Sequence, residues 1–316
     1  MKKLSAALAL AIACSTAHAQ YPNRPIRLIV PFPPGGAAEL GARIFAQPLG
    51  QALGQTVVIE TKPGADGAIA ADATMKAAPD GYTLFYATNT AFSWVPSVRK
   101  DPPYDPVNDF TPVSMVGVFG FFLFSHPSVP ATNMKDLLAY IRANPGKLNY
   151  GSGNSTSIVS TAQLLQREKL DVVHIPYKGD GPLSVDLLGG RVHFAIATPG
   201  TAAPQVREGK LRALATLLPS RSPLLPDAPT MAEAGLKPLT VTPWGGIFGP
   251  KGMPRDIAER LSRELIALLK RPEVRDAFGR LAFEPRGSTP DELAAFTKEQ
   301  LAVWRRAIAD AGIKPE

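Results

Sequence analysis

Cysteine is almost absent from this chain: Cys14 is the only one among 316 residues. We expect it to be lost with an N-terminal leader, which would exclude disulfides, a cysteine nucleophile and cysteine-ligated zinc. Histidine is scarce as well. His126, His174 and His193 lie outside the leader, scattered and without carboxylates at metal-ligand spacing. The sequence therefore predicts neither a metal site nor a cofactor.

Motifs of catalysis are also missing. The sequence contains no G-x-S-x-G elbow, no H-E-x-x-H, no P-loop and no complete G-x-G-x-x-G. Ser152 could serve as a nucleophile with His174 as its base, in an exported α/β hydrolase, but nothing in the sequence fixes their geometry. We therefore predict that the protein is not an enzyme and keep the hydrolase as an alternative hypothesis.

Long runs of one charge are missing too. The formal net charge is +7, yet no basic run exceeds two or three residues, and aromatics do not alternate with basic residues as in single-strand binders. We expect no nucleic-acid partner. A mildly basic surface favours acidic ligands instead.

The N-terminus has the organisation of a secretory signal peptide. Lys2 and Lys3 form a basic start, Leu4 to Ile12 an apolar core, and Ala17-His18-Ala19 a small-x-small cleavage site. The apolar core is shorter than the ~20 residues that span a bilayer. Residues 1–19 are therefore predicted to be a signal peptide that exports a soluble protein to the periplasm.

Cleavage after Ala19 would leave a mature chain that begins at Gln20. Lipoprotein processing at Cys14 is the rival interpretation. It fits less well because the usual leucine three residues before the cysteine is absent.

Strand and helix patterns alternate through the rest of the chain. Ile26 to Val30 is a near-continuous apolar run typical of a buried strand, and residues 38–53 follow with helical spacing, in which Pro48 should bend or break the helix. Strands are predicted at Val57–Ile59 and Thr83–Ala87, separated by a helix. This order implies parallel strands with right-handed crossovers.

A second unit of the same kind follows from about residue 113, and the C-terminal part returns to helices. The pattern predicts an α/β protein with two Rossmann-like lobes, which would hold a ligand between them. We place the first part of lobe 1 at residues 20–121, lobe 2 at 122–242 and the C-terminal part of lobe 1 at 243–316.

The strongest functional signal is the turn Pro31-Phe32-Pro33-Pro34-Gly35-Gly36, between the first strand and a helix that starts near Ala37. Glycines let main-chain amides approach a ligand closely. The first amides of a helix have no partner within it, and the helix dipole adds positive charge there. The turn therefore predicts carboxylate binding by main-chain amides, although a plain βα turn would read similarly.

Two further polar turns follow predicted strands. Ser152 to Ser157 is rich in hydroxyls and amides at a helix start, where helix capping is an equally good interpretation. Thr88-Asn89-Thr90 is, taken alone, more typical of an ordinary strand end.

Several strings together resemble the Bug family, the TctC-like periplasmic solute receptors of tripartite tricarboxylate transporters. The strings are Pro25 to Phe32, Gly35-Gly36, Lys62 to Ala65, Ala78 to Leu84, Pro103 to Val107, Gly146 to Ser152, Pro176 to Gly179, Asp186 to Gly190, Gly209 to Ala215 and Pro229 to Gly235. The resemblance runs from about Tyr21 to the C-terminus.

The resemblance implies a periplasmic binding protein of type II-like fold whose two lobes close about a hinge on a small carboxylate. It would then deliver the carboxylate to a two-subunit membrane permease. A monomer is expected. A module that reports to a membrane sensor kinase is the alternative. The ligand-binding residues implied are Phe32, Gly35, Gly36, Ala37, Thr88, Asn89, Ser152, Asn154, Ser155, Thr156, Tyr177 and Lys178, to which we add Thr198.

Two positions depart from the family pattern. The Asp that many members have after the strand near Val192–Ile196 is replaced here by Ala197-Thr198-Pro199-Gly200. Since that Asp can pair with a ligand ammonium, its absence favours a di-, tri- or aromatic acid over an amino acid. Glu39 replaces the Asp common after the first turn, and could alter the pocket or simply occupy the first turn of the helix.

Overall fold

The computed structural model describes residues 21–315, so the predicted signal peptide and the rival site at Cys14 lie outside the described residues. The described strands divide between a six-stranded and a five-stranded sheet. Each sheet and its helices form one lobe, which we call lobe 1 and lobe 2.

Lobe 1 is built on the six-stranded sheet. Its strands are β1 (Ile26–Val30), β2 (Val57–Thr61), β3 (Thr83–Thr88), β4 (Phe110–Phe119), β10 (Trp244–Pro250) and β11 (Phe283–Pro285). They lie in the order β11-β4-β10-β3-β1-β2. Strands β1, β2 and β3 are parallel, whereas β10 pairs antiparallel with both β3 and β4.

Lobe 2 is built on the five-stranded sheet. Its strands are β5 (Phe122–Ser125), β6 (Asn149–Ser152), β7 (Val173–Pro176), β8 (Phe194–Ala197) and β9 (Arg212–Thr216). They repeat the pattern of lobe 1 in the order β7-β6-β8-β5-β9. The parallel strands are β7, β6 and β8, and the antiparallel β5 lies between β8 and β9. In each sheet, the strand beside the parallel set is the first after the chain crosses from the other lobe: β10 in lobe 1 and β5 in lobe 2. The predicted two-lobed α/β fold is confirmed.

Helices flank both sheets. They are α1 (Ala37–Leu53), α2 (Ala68–Met75), α3 (Val95–Val98), α4 (Met134–Ala143), α5 (Ser155–Glu168), α6 (Asp180–Leu188), α7 (Ala202–Arg207), α8 (Arg255–Leu269), α9 (Pro272–Gly279) and α10 (Pro290–Asp310). None of the described helices combines the length and apolar character needed to cross a membrane.

Pro48 does not break α1, contrary to the break allowed for in the sequence analysis. Proline removes one hydrogen bond to the preceding turn. The helix nevertheless continues to Leu53, because it buries Phe45, Ala46 and Leu49 against the core of lobe 1. Packing of the apolar face outweighs the local preference.

Buried apolar side chains pack within lobe 1 and between the two lobes. In lobe 1, the ring of Phe92 lies 4.7 Å from that of Phe110 and 4.6 Å from that of Phe248. Between the lobes, Trp304 of α10 belongs to one buried cluster with Val159 of α5. The two lobes therefore share a packed contact on α5, the helix that follows the second polar turn.

Candidate functional site

The carboxyl ends of the parallel strands of both lobes face each other. Asn89, just after β3, donates from Nδ2 to Thr156 Oγ1 of α5 over 3.0 Å. The hydroxyls of Thr90 and Ser155 lie 2.9 Å apart, within hydrogen-bonding distance. These bonds join the end of β3 in lobe 1 to the start of α5 in lobe 2. The predicted third and second turns are thus in direct contact, with their side chains buried.

The first turn leads directly into α1. Gly36 precedes the helix, and among the described residues no side chain caps it. The amide of Gly35 is already used, since it donates to Glu39 Oε2 over 3.0 Å. The Glu39 side chain is 1% exposed and its Oε1 lies 2.5 Å from Arg43 Nε. The amide of Gly35 is thus paired within the turn, and the amides of Ala37 and Ala38, the first of the helix, are the further candidates for a ligand.

Phe32 and Ala37, also predicted site residues, are half-buried and pack against the core of lobe 1. Thr88 is buried at the end of β3. Glu39 was flagged only as a departure in the sequence. Its position four residues after Gly35 places its carboxylate over the preceding turn, because side chains in a helix lean toward its N-terminus.

The second turn is a capping box. Asn154 Oδ1 accepts from the amide of Ser157 over 3.0 Å, and Ser157 Oγ accepts from the amides of Asn154 and Gly153. The capping interpretation therefore holds for Asn154. The amides of Ser155 and Thr156, the first two of α5, remain directed out of the helix.

Ser152 does not direct its hydroxyl to the other lobe. Its Oγ lies 2.6 Å from Nε2 of His174, on the edge strand β7, and the His174 ring stacks on Tyr150 at 4.7 Å. The geometry that the sequence left open is thus a serine–histidine pair. Ser152 is 1% exposed, and among the described residues no carboxylate hydrogen-bonds to His174. A nucleophile needs an accessible oxygen and an oriented base, so this pair lacks two features of a hydrolase triad.

Acidification should destabilise the protein through His174. The imidazole lies on an exposed edge strand, and partial desolvation where it stacks on Tyr150 lowers its pKa. Below the ordinary pKa of about 6.5, the unfolded chain therefore binds a proton more readily than the folded one. Stability is present above that pH and falls as the pH drops through the folded-state pKa. We expect the loss of melting temperature between pH 7.5 and 5 to be smaller in His174→Gln than in the wild type.

His193, whose pKa burial also lowers, should retain part of the wild-type slope in that variant. Equal slopes for the wild type and His174→Gln in differential scanning calorimetry would contradict the assignment to His174.

Tyr177 and Lys178, two further predicted site residues, lie in the turn after β7. The Tyr177 hydroxyl donates to Asp186 Oδ2 of α6 over 2.7 Å. Lys178 is exposed, and the described part of the chain contains no ion pair to it. Among residues 21–315, neither side chain is hydrogen-bonded to lobe 1. The main chain of this turn, which leads into α6, is the part that lies beside the second turn.

Thr198 and Asn154 converge on a residue that the sequence analysis missed, Asp180. The amide and Oγ1 of Thr198 donate to Asp180 Oδ2 over 3.0 and 2.6 Å, and Asn154 Nδ2 donates to Oδ1 over 2.9 Å. Burial raises the pKa of the Asp180 carboxyl, and these bonds oppose the rise. The run Gly179-Asp180-Gly181-Pro182, an acidic helix start, was the available signal.

This carboxylate changes one argument from the sequence. The loop after β8 lacks its own Asp, yet a carboxylate hydrogen-bonds to its Thr198 from the neighbouring helix. The absence of an Asp at Ala197 therefore does not by itself disfavour an amino acid ligand. In residues 21–315, no group of three or more His, Cys, Asp or Glu side chains could hold a metal ion.

Two α/β lobes that meet at the carboxyl ends of their parallel strands define a class, the two-lobed solute-binding proteins. A sequence model of the family described as "Tripartite tricarboxylate transporter family receptor" (TctC) matches residues 41–313. Protein BugT of Bordetella pertussis is 36% identical over 310 residues, which cover 96% of this chain and 94% of BugT. The chain belongs to the TctC family of receptors, and the resemblance to the Bug family is confirmed.

Solved structures of similar proteins include two with bound dicarboxylates. Rpa4515 of R. palustris, solved with adipate, is 32% identical with a TM-score of 0.85, over 94% of this chain and 100% of that one. MatC of Rhodopseudomonas palustris, with bound malate, is 30% identical with a TM-score of 0.77, over 91% of this chain and 100% of that one. The family and these neighbours are binding proteins and not enzymes.

Proposed function

We propose that this protein captures a small carboxylate between its two lobes and delivers it to a membrane permease of the tripartite tricarboxylate type. The observation that carries the proposal is the contact between Asn89 and Thr156, which brings the start of α5 to the strand ends of lobe 1. The turn before α1 follows β1, the parallel neighbour of β3. Amides at the starts of α1 and α5 thus come from facing edges of the two lobes.

Main-chain amides and hydroxyls can supply the required affinity. A hydrogen bond to a charged group contributes roughly 1.5–3 kcal/mol, and micromolar binding needs only about 8 kcal/mol. Among the described residues, no lysine or arginine is buried. Recognition without a buried cation keeps the complex dissociable, which delivery to a permease requires.

Part of the binding energy would stabilise the closed arrangement. A ligand shifts the equilibrium between open and closed lobes only by its difference in affinity for the two. Asn89 and Thr90 hydrogen-bond to α5 across the two lobes. They would therefore assist closure while the ligand adds the specificity.

The adipate and malate bound to Rpa4515 and MatC support a dicarboxylic acid as the ligand. We propose di-, tri- or aromatic acids ahead of amino acids, with export to the periplasm by the predicted signal peptide. Because Asp180 brings a carboxylate to Thr198, acidic amino acids belong in any test of the ligand.

A thermal-shift screen of the mature protein from Gln20 onward tests the proposal. The acids are adipate, malate, succinate, citrate, benzoate, glutamate and aspartate. An acid at 100 times its Kd should stabilise the protein by about 2.7 kcal/mol, which calorimetry then verifies as binding at one site. Absence of any shift and of any binding heat across the set would contradict carboxylate capture.

Delivery to a permease is a separate step with its own test. A deletion strain should lose uptake of the radiolabelled acid that the screen identifies, and the wild-type gene should restore it. Normal uptake together with lost transcription of acid-responsive genes would favour the sensor hypothesis instead.

A further inference from the structure

We propose that Asp180 is a positioning residue that holds the turn after β6 and the turn after β8 in one arrangement, so that α5 presents its first amides to the ligand. Its Oδ1 accepts from Asn154, the residue before α5, and its Oδ2 accepts twice from Thr198, the residue after β8. Strands β7, β6 and β8 are neighbours in the sheet. Asp180, which follows β7, is thus bonded to the turns of both other strands.

A second pair of bonds strengthens the same connection. Ser184, one turn further along α6, donates from Oγ to the main-chain carbonyl of Asp180 over 2.7 Å. Its Oγ also lies 2.5 Å from Oγ1 of Thr201, in the turn after β8. The start of α6 is therefore linked to that turn at two successive points, Thr198 and Thr201.

The close approach of the two turns depends on Gly153. A Cβ at this position would lie 2.4 Å from Asp180 Oδ1 and 2.6 Å from the carbonyl carbon of Gly179. The main chain of the second turn therefore packs directly on the start of α6. Glycine at position 153 therefore permits the close approach at which Asp180 accepts from Asn154.

No cation neutralises Asp180 among the described residues, and its partners are the neutral donors of Asn154 and Thr198. Removing one such donor costs folding free energy, because the carboxylate oxygen that it served stays desolvated without a hydrogen bond. The donors bonded to Asp180 are no longer available to a ligand. Lobe 2 then offers the amides of Ser155 and Thr156, which suit one carboxylate group. This inference rests on the proposed function.

Exchanging the two side chains tests the idea. In Asp180→Asn the new amide would face the Asn154 amide, donor against donor, since Asn154 Oδ1 is committed to Ser157. In Asn154→Asp two carboxylates would face each other. The double variant Asn154→Asp/Asp180→Asn restores every donor and acceptor with the same total charge. Asp171→Asn, an exposed aspartate of lobe 2, is the matched control.

Hydrogen exchange measures the positioning without any ligand. We expect each single variant to speed exchange at the amides of Thr198 and Ser157 by about tenfold or more, and the double variant and Asp171→Asn to stay within about threefold of the wild type. The proposal would be overturned if the single variants exchange at the wild-type rate. It would also be overturned if the double variant exchanges faster than either single variant, with the two increases adding.

Calorimetry with adipate and malate, and with any further acid found in the thermal-shift screen, supplies the second readout. The singles should bind about tenfold or more weakly, with recovery in the double variant. Suppose that exchange is faster in the single variants and recovers in the double variant, while the single variants bind the acid as tightly as the wild type. That result would overturn the role of Asp180 in binding and leave it a structural link only. If the wild type binds no acid, the proposed function fails, while the exchange data still decide whether Asp180 positions the turns.

Discussion

Gly153→Ala should lower both the melting temperature and the affinity for the ligand acid. The added Cβ would lie 2.4 Å from Asp180 Oδ1, 2.6 Å from the carbonyl carbon of Gly179 and 2.7 Å from the amide nitrogen of Asp180. Two of these three atoms belong to the main chain, which cannot rotate out of the way. The start of α6 must move, and its hydrogen bonds to Asn154 and Thr198 must lengthen.

The size of the effect follows from overpacking. Forcing extra volume into a close contact costs about 1–3 kcal/mol, and loss of the bond to a buried charged group adds roughly 1.5 kcal/mol or more. We expect a total loss of unfolding free energy of roughly 3 kcal/mol. The affinity should fall by about tenfold or more.

Gly181→Ala, in the first turn of α6, is the matched control. A Cβ there meets nothing within 4 Å, and alanine is up to ~1 kcal/mol better than glycine in a helix. Denaturant unfolding of both variants checks the prediction. A Gly153→Ala protein as stable as Gly181→Ala would show that the two turns are not in close contact.

Local patterns predicted the helices and parallel strands well. The sequence analysis predicts helices in the C-terminal part of the chain, and α8 and α9 form there because an apolar stripe follows a proline at or just before the first turn. Likewise β1, β3 and the turns after them follow from an apolar run ended by glycine or polar residues. In such elements the sequence and the local backbone preferences agree.

Strand β10 was missed because its partners are distant. Trp244-Gly-Gly-Ile-Phe-Gly-Pro250 contains three glycines and a proline, which are poor strand formers. It is buried throughout, so no alternation of polar and apolar residues marks it. Only pairing with β3 and β4, more than a hundred residues away in sequence, makes it a strand. The short β11 was missed for the same reason.

The sequence predicts where the candidate site exposes main-chain amides. It does not predict which side chains hydrogen-bond to them. Glycine and helix starts indicate where amides are exposed, and those positions follow from the sequence. Whether an amide is already taken depends on a side chain from elsewhere, as Glu39 shows at Gly35 and Asp180 at Thr198. Such pairings follow from tertiary distances that no local spacing reports.

The apolar run from Val113 to Phe124 illustrates the same limit at the point where the chain leaves lobe 1. It contains parts of two strands, β4 and β5, which lie in different sheets and are joined through Gly120 and Phe121. Gly120 donates its amide to the carbonyl of Ala282 over 2.7 Å. This crossing connects the two lobes and must accommodate any opening between them.

Gly120→Ala should be strongly destabilising for this reason. A Cβ would lie 2.3 Å from the carbonyl oxygen of Ala282 and 2.9 Å from its Cβ. Ala282 itself has φ of 51°, a left-handed conformation that already restricts how it can move. Overpacking and loss of the hydrogen bond together should lower the unfolding free energy by roughly 2–4 kcal/mol. The melting temperature should fall by about 5–10 °C.

Gly279→Ala separates this contact from a general effect of added methyl groups. Gly279 ends α9, three residues before Ala282, and its Cβ would meet nothing within 4 Å. We expect Gly279→Ala to unfold within about 1 kcal/mol of the wild type. Small-angle scattering with and without the ligand acid would then show whether Gly120→Ala also alters closure. Equal stability of the two variants would mean that the crossing segment yields readily, and that Ala282 does not constrain the path between the lobes.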